Sequence, residues 1–535
     1  MNSVRILDCT LRDGGYVNDF RFGNRAIQKI IEKLERAAVD IIECGFLKEG
    51  ETDKDCTLFG RIEMIGDVVR KKSPGTMYVA MIQQGKIRIE DICDAKDAVI
   101  DGIRLTFHEH EIEESFAFAK LLMAKGYKVF MQPVGTTTYT EQALLELVER
   151  INQLQPYAFY MVDTLGTMFK NDMLKMFRLI DDHLSKNVIL GFHSHNNLQM
   201  SFSNATEFLQ IDTQRERIID SSVMGMGRGA GNLNTELITQ FINSTIAQKY
   251  NIIEILEVLD EYIRPLSTKY FWGYDAAYFI SSAAKCHPNY ASYLLNKQTL
   301  HVQDIFKILN GLDVNKRTLY DEKSIETEYL EFMSHTVEDR AARNAIASEI
   351  SGKRVVVLAP GKTLAAYGEE VKDFCQREDT YVISVNFLPD ELPSDMLFIS
   401  NMKRFQNLDA LKGDTLGIKT VAVTSNIVSE NQEGVLVLNY SDYLNDDNVI
   451  RDNAGMMCLN LLEKLHVSSV YLAGFDGFSV NSTENYYSDR LVVKVEADHL
   501  LQMNAAISRK LGQLNRTMKI EFLTESAYHV EEENA

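Results

Sequence analysis

Long apolar runs are missing from this chain. No stretch approaches the roughly 18 residues of a membrane-spanning helix, so no membrane span is expected. Positive charge is scarce, with 56 Lys and Arg against 76 Asp and Glu and a net charge of −20. Nucleic acid and anionic membranes both reward cations, so neither is expected as a partner. The seven cysteines are scattered without CxxC spacing, which reads as reduced thiols in a reducing compartment. Low-complexity tracts and short-period repeats are missing as well. The opening MNSVRILDCT reads as the start of a strand, without the basic region and apolar segment of a targeting leader. A cytoplasmic protein is the expectation.

What is present is apolar mass in short pieces. The 535 residues, 45% of them hydrophobic, are too many for one ordinary domain, and two or three are expected. Apolar runs stand at 4–10, 40–46, 77–82, 102–107, 128–134, 158–163, 188–195 and 217–227, with amphipathic stretches such as 24–38 and 140–154 between them. Continuous apolar strands alternating with helices indicate a parallel sheet covered on its outer side. Eight strand–helix units in about 250 residues have the count and size of a TIM (β/α)8 barrel. An open doubly wound sheet also holds eight strands. The barrel is favoured because polar residues gather after several strand ends, where a barrel keeps its active site. Residues 1–250 are therefore assigned to the barrel, and 251–348 to a helical extension packing on its mouth. The runs at 354–361, 380–387, 395–400, 420–426, 434–439 and 469–477 assign 349–535 to a Rossmann-like three-layer α/β domain.

The polar residues at the barrel strand ends carry the chemistry. The first strand leads into Thr10-Leu11-Arg12-Asp13-Gly14-Gly15, and the seventh ends in His193 and His195. Residues i and i+2 of a strand point to one side, so both imidazoles can face a single ion, with Asp13 as a hard oxygen ligand. Two neutral nitrogens and one carboxylate suit Mg²⁺, Mn²⁺, Fe²⁺ or an open zinc site. Arg12 would set a permanent cation beside any oxyanion forming there. An isolated HxH pair also occurs as plain polar residues at a strand end; position beside "DCTLRDGG" is what favours ligation. "GMGRGAGN" (225–232) follows the eighth strand, and Asn232 would add an oxygen ligand or brace one. Glycine-rich loops at this place bind phosphate in many barrels, which is the alternative for it.

"LDCTLRDGG", "IIECGF", "YMVDTLGTM", "GFHSHNNL" and "IIDSSVMGMGRGAGNLNTE", in this order, resemble the DRE-TIM metallolyase superfamily. The resemblance is nearest to 4-hydroxy-2-oxovalerate aldolase and, through "IRPL", "WGYDA", "NYASYL" and "VQDIF", spans about residues 4–312. It implies a divalent ion, Mn²⁺ or Mg²⁺, on Asp13, His193 and His195, with Asn232 matching a ligand of the lyase branch. Arg12 would stabilise a pyruvate enolate, Thr164 would meet the substrate carboxylate, and Tyr290 would be lent to the site by the helical extension. One departure stands out: Tyr16 occupies the position of the aldolase's acid/base histidine. A tyrosine near its ordinary pKa of about 10 is a poor base at neutral pH, so either Tyr16 is perturbed or another group serves. His108 and His110, after the fourth strand, lie at the correct barrel end; the aldolase has a histidine in this region, which favours His108, and a solvated loop is the alternative. Glu43 reads as a barrel-interior carboxylate or a substrate contact, and Cys9 and Cys44 as core.

The resemblance thus implies an aldol lyase that cleaves a 4-hydroxy-2-oxo acid to pyruvate and an aldehyde. A Claisen-type acyltransferase of the isopropylmalate or homocitrate synthase kind is the alternative, and a non-catalytic metal-binding scaffold a third. The partners expected are a 2-oxo acid and an aldehyde, with a homo-oligomeric assembly.

"VVVLAPGKTL" places Pro-Gly-Lys-Thr after a strand, but Val356 stands where a P-loop needs its first glycine. With "ISVNF" and "DNAGMMCLNLLEKLHVSSVYLAGFDGF", it resembles bacterial sialyltransferase-like Rossmann domains. That resemblance implies a nucleotide or sugar phosphate near Gly361, Lys362, Thr363 and Asn386; a structural or dimerising α/β domain is the alternative. Cys375 and Cys458 sit in helical patterns, so no nucleophilic-cysteine dehydrogenase is expected here. A sugar-like aldehyde for the barrel is the corresponding expectation.

Overall fold

The computed structural model describes residues 4–50, 53–69, 72–297, 299–389, 391–409, 418–427, 435–479, 485–486 and 497–528. They fall into two compact units, Met1–Ala291 with Asp313–Tyr320, and Ser292–Leu312 with Asp321–Ala535.

In the first unit, eight parallel strands close into a barrel: β1 (Val4–Asp8), β2 (Ile41–Leu47), β3 (Met77–Gln83), β4 (Gly102–Phe107), β5 (Lys128–Pro133), β6 (Ala158–Asp163), β7 (Ile189–Ser194) and β8 (Arg217–Ser221). Closure comes from β1, which pairs with β8 from Val4↔Arg217 to Asp8↔Ser221 and with β2 at Leu7↔Ile41. A two-residue strand, Leu58–Phe59, is added beside β2. Each strand is buried on both sides, and the two sides alternate as the pleat requires. Ile6, Ile42, Tyr78, Val129, Phe159, Leu190 and Ile219 belong to the outer core against the helices. Their neighbours Leu7, Ile41, Val79, Phe130, Tyr160, Ile189 and Ile218 fill the barrel interior. Interior space is tight. A Cβ on Gly191 would lie 2.3 Å from the Tyr160 ring, so glycine in β7 is what admits that tyrosine.

Helices follow six of the strands: α1 (Asn24–Arg36) after β1, then α2 (Ile112–Ala124), α3 (Glu141–Leu154), α4 (Lys170–His183), α5 (Ser201–Gln210) and α6 (Thr235–Thr245) after β4 to β8. The start of α3 shows local logic, because Thr140 Oγ1 accepts the Ala143 amide at 3.1 Å as an N-cap. After β2 and β3 the expected α-helices are replaced, among the described residues, by 3-10 turns at Ile62–Asp67, Ile89–Asp91 and Ala95–Asp97. The reason lies in the sequence "KIRIEDICDAKD". Its apolar residues do not persist at helical spacing, and isoleucine is a weak helix former.

The beginning of the helical stretch closes over the carboxyl end of the barrel. Trp272 Nε1 donates to Met224 O at 3.0 Å, in the loop after β8, and Ser282 Oγ donates to Leu165 O at 2.8 Å, after β6. Residues 292–312 and the chain from 321 onward belong to the second unit.

The second unit holds a parallel sheet of β9 (Arg354–Leu358), β10 (Thr380–Val385), β11 (Met396–Ile399), β12 (Thr420–Thr424), β13 (Val435–Leu438), β14 (Ser469–Ala473) and β15 (Lys519–Phe522). Their order is β13-β12-β11-β10-β9-β14-β15, a doubly wound arrangement whose chain order reverses between β9 and β14. β15 was not among the expected strands, being a short run near the chain end. No helix among the described residues is long and apolar enough to cross a membrane.

Candidate metal and enolate site

Interior parity places the site. Residues 191, 193 and 195 continue the inward series of Ile189, while Glu43, Arg104 and Asp220 are the inward positions of β2, β4 and β8. Asp13 arrives from the turn after β1, where its amide donates to Cys9 O at 2.8 Å. One ligand atom from each of Asp13, His193 and His195 lies within 4.8 Å of the others.

The surrounding bonds set the state of each ligand. His193 Nδ1 lies 3.0 Å from Asp220 Oδ2, which leaves Nε2 for an ion. Burial pushes the His195 pKa down to about 4, against the opposing pull of Asp13, so the ring is neutral and able to ligate. Burial works to raise the Asp13 pKa, but Arg12, His195, His193 and the Asn232 amide together hold it well below the usual carboxylate range. Asn232 Nδ2 donates to Asp13 Oδ2, and Asn232 Oδ1 is buried without a partner. An orphaned carbonyl oxygen beside a carboxylate and two imidazoles is the donor set of a hard or borderline divalent cation. The residues fit the ion that the sequence implies.

Arg12 sits beside this cluster. Its Nε donates to Glu43 Oε2 at 2.8 Å and its Nη1 to Asp13, while Nη2 keeps both hydrogens unassigned. Behind it, Arg104 Nη1 donates to Glu43 Oε2 at 2.7 Å and Nη2 to Asp220. A buried chain of charge thus runs Arg12–Glu43–Arg104–Asp220–His193, tying the guanidinium to a histidine ligand through the barrel interior. Arg104 and Asp220 were not singled out in the sequence. The signal was a charged residue at an inward position of the apolar runs "GIRLTF" and "RIIDSS", which needs a buried partner. Two glycines let the last loop close on the site: a Cβ on Gly227 would lie 2.7 Å from Asp13 Oδ2, and one on Gly229 2.8 Å from Asn197 Oδ1. Asn197 accepts the Ala230 amide at 2.9 Å and donates to Leu165 O at 3.1 Å, joining the loops after β6 and β8.

The remaining candidates fall in different places. Tyr16 ends the 3-10 turn Gly14–Tyr16, and burial moves its pKa up, with Arg12 and Arg228 opposing; the shift is away from what a base needs. Thr164 Oγ1 accepts the Gly135 amide at 2.9 Å and keeps its own proton for another acceptor. His108 follows β4, half-buried, with its pKa lowered by burial and by His110 against Glu111, and its ring stacks on His110 at 5.7 Å. Tyr290 differs from the expectation. It is fully buried, and its hydroxyl is engaged by the carbonyls of Lys316 at 2.9 Å and Leu319 at 2.8 Å. Those carbonyls come from the segment 313–320.

In the second unit, Gly361 lies at the β9–β14 reversal, where a Cβ would come 2.2 Å from Gly474 O. Asp476 Oδ2 accepts the Thr363 amide at 2.8 Å and Oδ1 the Thr363 hydroxyl. An internal carboxylate therefore holds the amide that a phosphate would have used. Asn386, at φ +58°, accepts the Ser400 amide at 3.0 Å, so it serves a turn. Lys362 is the exposed member of the four.

Comparison with known proteins finds matches over the first half of the chain. Residues 3–261 match the HMGL-like family. The 4-hydroxy-2-oxovalerate aldolase of Geobacillus genomosp. 3 is 27% identical over 276 residues, 49% of this chain and 78% of the relative. The oxaloacetate decarboxylase of Mycobacterium tuberculosis is 28% identical over 243 residues, 44% and 68% of the two chains. Among solved structures, the HMG-CoA lyase from Brucella melitensis aligns with a TM-score of 0.41 and 16% identity, covering 50% of this chain and 100% of that one. Over residues 3–261 the chain is thus similar to the HMGL-like (DRE-TIM) family.

Proposed function

We propose that the barrel is a divalent-metal-dependent carbon–carbon lyase that acts through a pyruvate enolate on a 4-hydroxy-2-oxo acid. The observation that carries this reading is the Asp13–His193–His195 cluster with the orphaned Asn232 oxygen and the free Nη2 of Arg12 beside it. A divalent ion, Mn²⁺ or Mg²⁺, would supply Lewis-acid polarisation of the 2-oxo acid at that cluster.

The chain's own groups supply the rest. Arg12 offers its two free N–H groups to the keto oxygen as negative charge develops there, and Glu43 fixes the guanidinium for that task. The Thr164 hydroxyl donates its remaining proton to the substrate carboxylate. In the cleavage direction the 4-hydroxyl loses its proton, the C3–C4 electrons pass to C2–C3, the aldehyde departs, and C3 takes a proton back. His108, held neutral at pH 7, is the acceptor for the hydroxyl proton.

A second reading has its own support. Loss of CO2 from oxaloacetate gives the same enolate, and the M. tuberculosis relative carries that name. Decarboxylation needs no acceptor for a 4-hydroxyl proton, which suits a site whose aldolase histidine is Tyr16. Incubation of the Mn²⁺-loaded protein with 4-hydroxy-2-oxovalerate and with oxaloacetate, reading pyruvate with lactate dehydrogenase, separates the two. Release from the hydroxy acid, lost in His195→Ala, supports the aldolase; release from oxaloacetate alone supports the decarboxylase, and release from neither contradicts both.

A further inference from the structure

The glycine-rich loop after β8 presents a cation for which the reaction so far has no use. Arg228 lies between Gly227 and Gly229, whose lack of Cβ lets the loop backbone press against Asp13, Asn232 and Asn197. Its side chain is exposed, and its guanidinium carbon stands 4.2 Å from the centroid of the Tyr16 ring. Among the described residues that ring is its contact, and no carboxylate pairs with it. The other arginines of the site are spoken for: Arg12 by Glu43 and Asp13, and Arg104 by Glu43 and Asp220. The charge of Arg228 nevertheless reaches inward, acting on His195 on one side and on His287 on the other.

A guanidinium stacked on an aromatic face is orientationally fixed yet keeps its in-plane N–H donors for an anion. Tyr16 lies three residues beyond Asp13, so the guanidinium stacked on its ring stands beside the metal cluster, close enough for its charge to act on His195. The 2-oxo-acid carboxylate is already served by Thr164 and the metal cluster in the proposed aldolase reading. We infer that Arg228 is a specificity-determining residue that binds an anionic group on the aldehyde half of the substrate, so that the aldehyde carries a carboxylate or a phosphate ester. This rests on the aldolase reading and narrows its substrate class.

The test uses the full-length Mn²⁺-loaded protein and pyruvate with three aldehydes: butanal, succinic semialdehyde and glyceraldehyde 3-phosphate. A charge-assisted pair at a partly exposed site corresponds to a preference of about 10- to 100-fold. Wild type is expected to favour one anionic aldehyde over butanal by that factor in kcat/KM, and which one it favours separates carboxylate from phosphate. The ratio should fall to near one in Arg228→Ala, be partly retained in Arg228→Lys, and shrink with salt in wild type. The salt dependence decides the matter without a variant if Arg228→Ala does not fold. Equal use of the three aldehydes, or a preference that survives Arg228→Ala, overturns the inference while deuterium exchange of the pyruvate methyl group leaves the enolate reading standing. Absence of that exchange removes the enolate reading and the inference with it.

Discussion

Arg104 Nη1 lies 2.7 Å from Glu43 Oε2 at the centre of the barrel, where neither side chain has any solvent exposure. The pair is one link of the chain that connects Arg12 to His193, and its burial makes each member costly to remove.

Arg104→Met should destabilise the barrel by about 3–5 kcal/mol, because the buried Glu43 and Asp220 would lose the cation they share and keep only Arg12 and His193, respectively, as partners. Urea unfolding of the two proteins checks this. Glu43→Gln in the same background should recover part of the loss, and a double-mutant cycle without coupling would contradict the linkage.

Gly191→Ala should cost about 3 kcal/mol, since the new Cβ meets rigid ring atoms of Tyr160 at 2.3 Å. Tyr160→Leu placed on top of it should restore stability, while Tyr160→Phe should not, because the clash involves the ring itself. Thermal melts of the three variants distinguish these outcomes.

Asp339, in the second unit, supplies a pH signature. Burial opposes its ionisation, but the Tyr443 hydroxyl, the Asn439 amide and Arg343 together hold its pKa below the ordinary 3.8. A depressed folded-state pKa contributes stability above the unfolded value that disappears as pH falls through the folded one. The stability gap between wild type and Asp339→Asn should therefore be full near pH 6 and shrink below 3.8. A gap that stayed constant down to pH 3 would show that Asp339 is not ionised in the fold.

Asn232→Ala should weaken Mn²⁺ binding by about 10- to 100-fold, the range for removing a group that ligates or orients a ligand. Isothermal titration reads this directly. Unchanged affinity would mean that the buried Asn232 oxygen has another purpose.

Much of this organisation was legible before any coordinates. The eight barrel strands stand in the sequence as continuous apolar runs, because a strand buried on both faces has no polar side to show. His193 and His195 were readable as one-sided by the period of two alone. Arg104 and Asp220 were hidden by their setting, since a single charge inside an apolar run signals a partner without naming it. Tyr290 is a different case, where resemblance lent it a role and the structure shows its hydroxyl on the carbonyls of Lys316 and Leu319. Arg228 sits in a glycine-rich loop for which the sequence offered Asn232 or a phosphate contact, and only its place over Tyr16 draws attention to it.

The central claim is that Asp13, His193 and His195 hold an ion that makes the methyl protons of pyruvate exchangeable. The direct measurement is NMR of methyl-deuterated pyruvate with protein stripped of metal and then titrated with Mn²⁺ or Mg²⁺, beside His195→Ala. Exchange that appears with about one equivalent of ion and is lost in the variant is the expected result. Tight binding without exchange would contradict the enolate chemistry, and no binding at all would contradict the site.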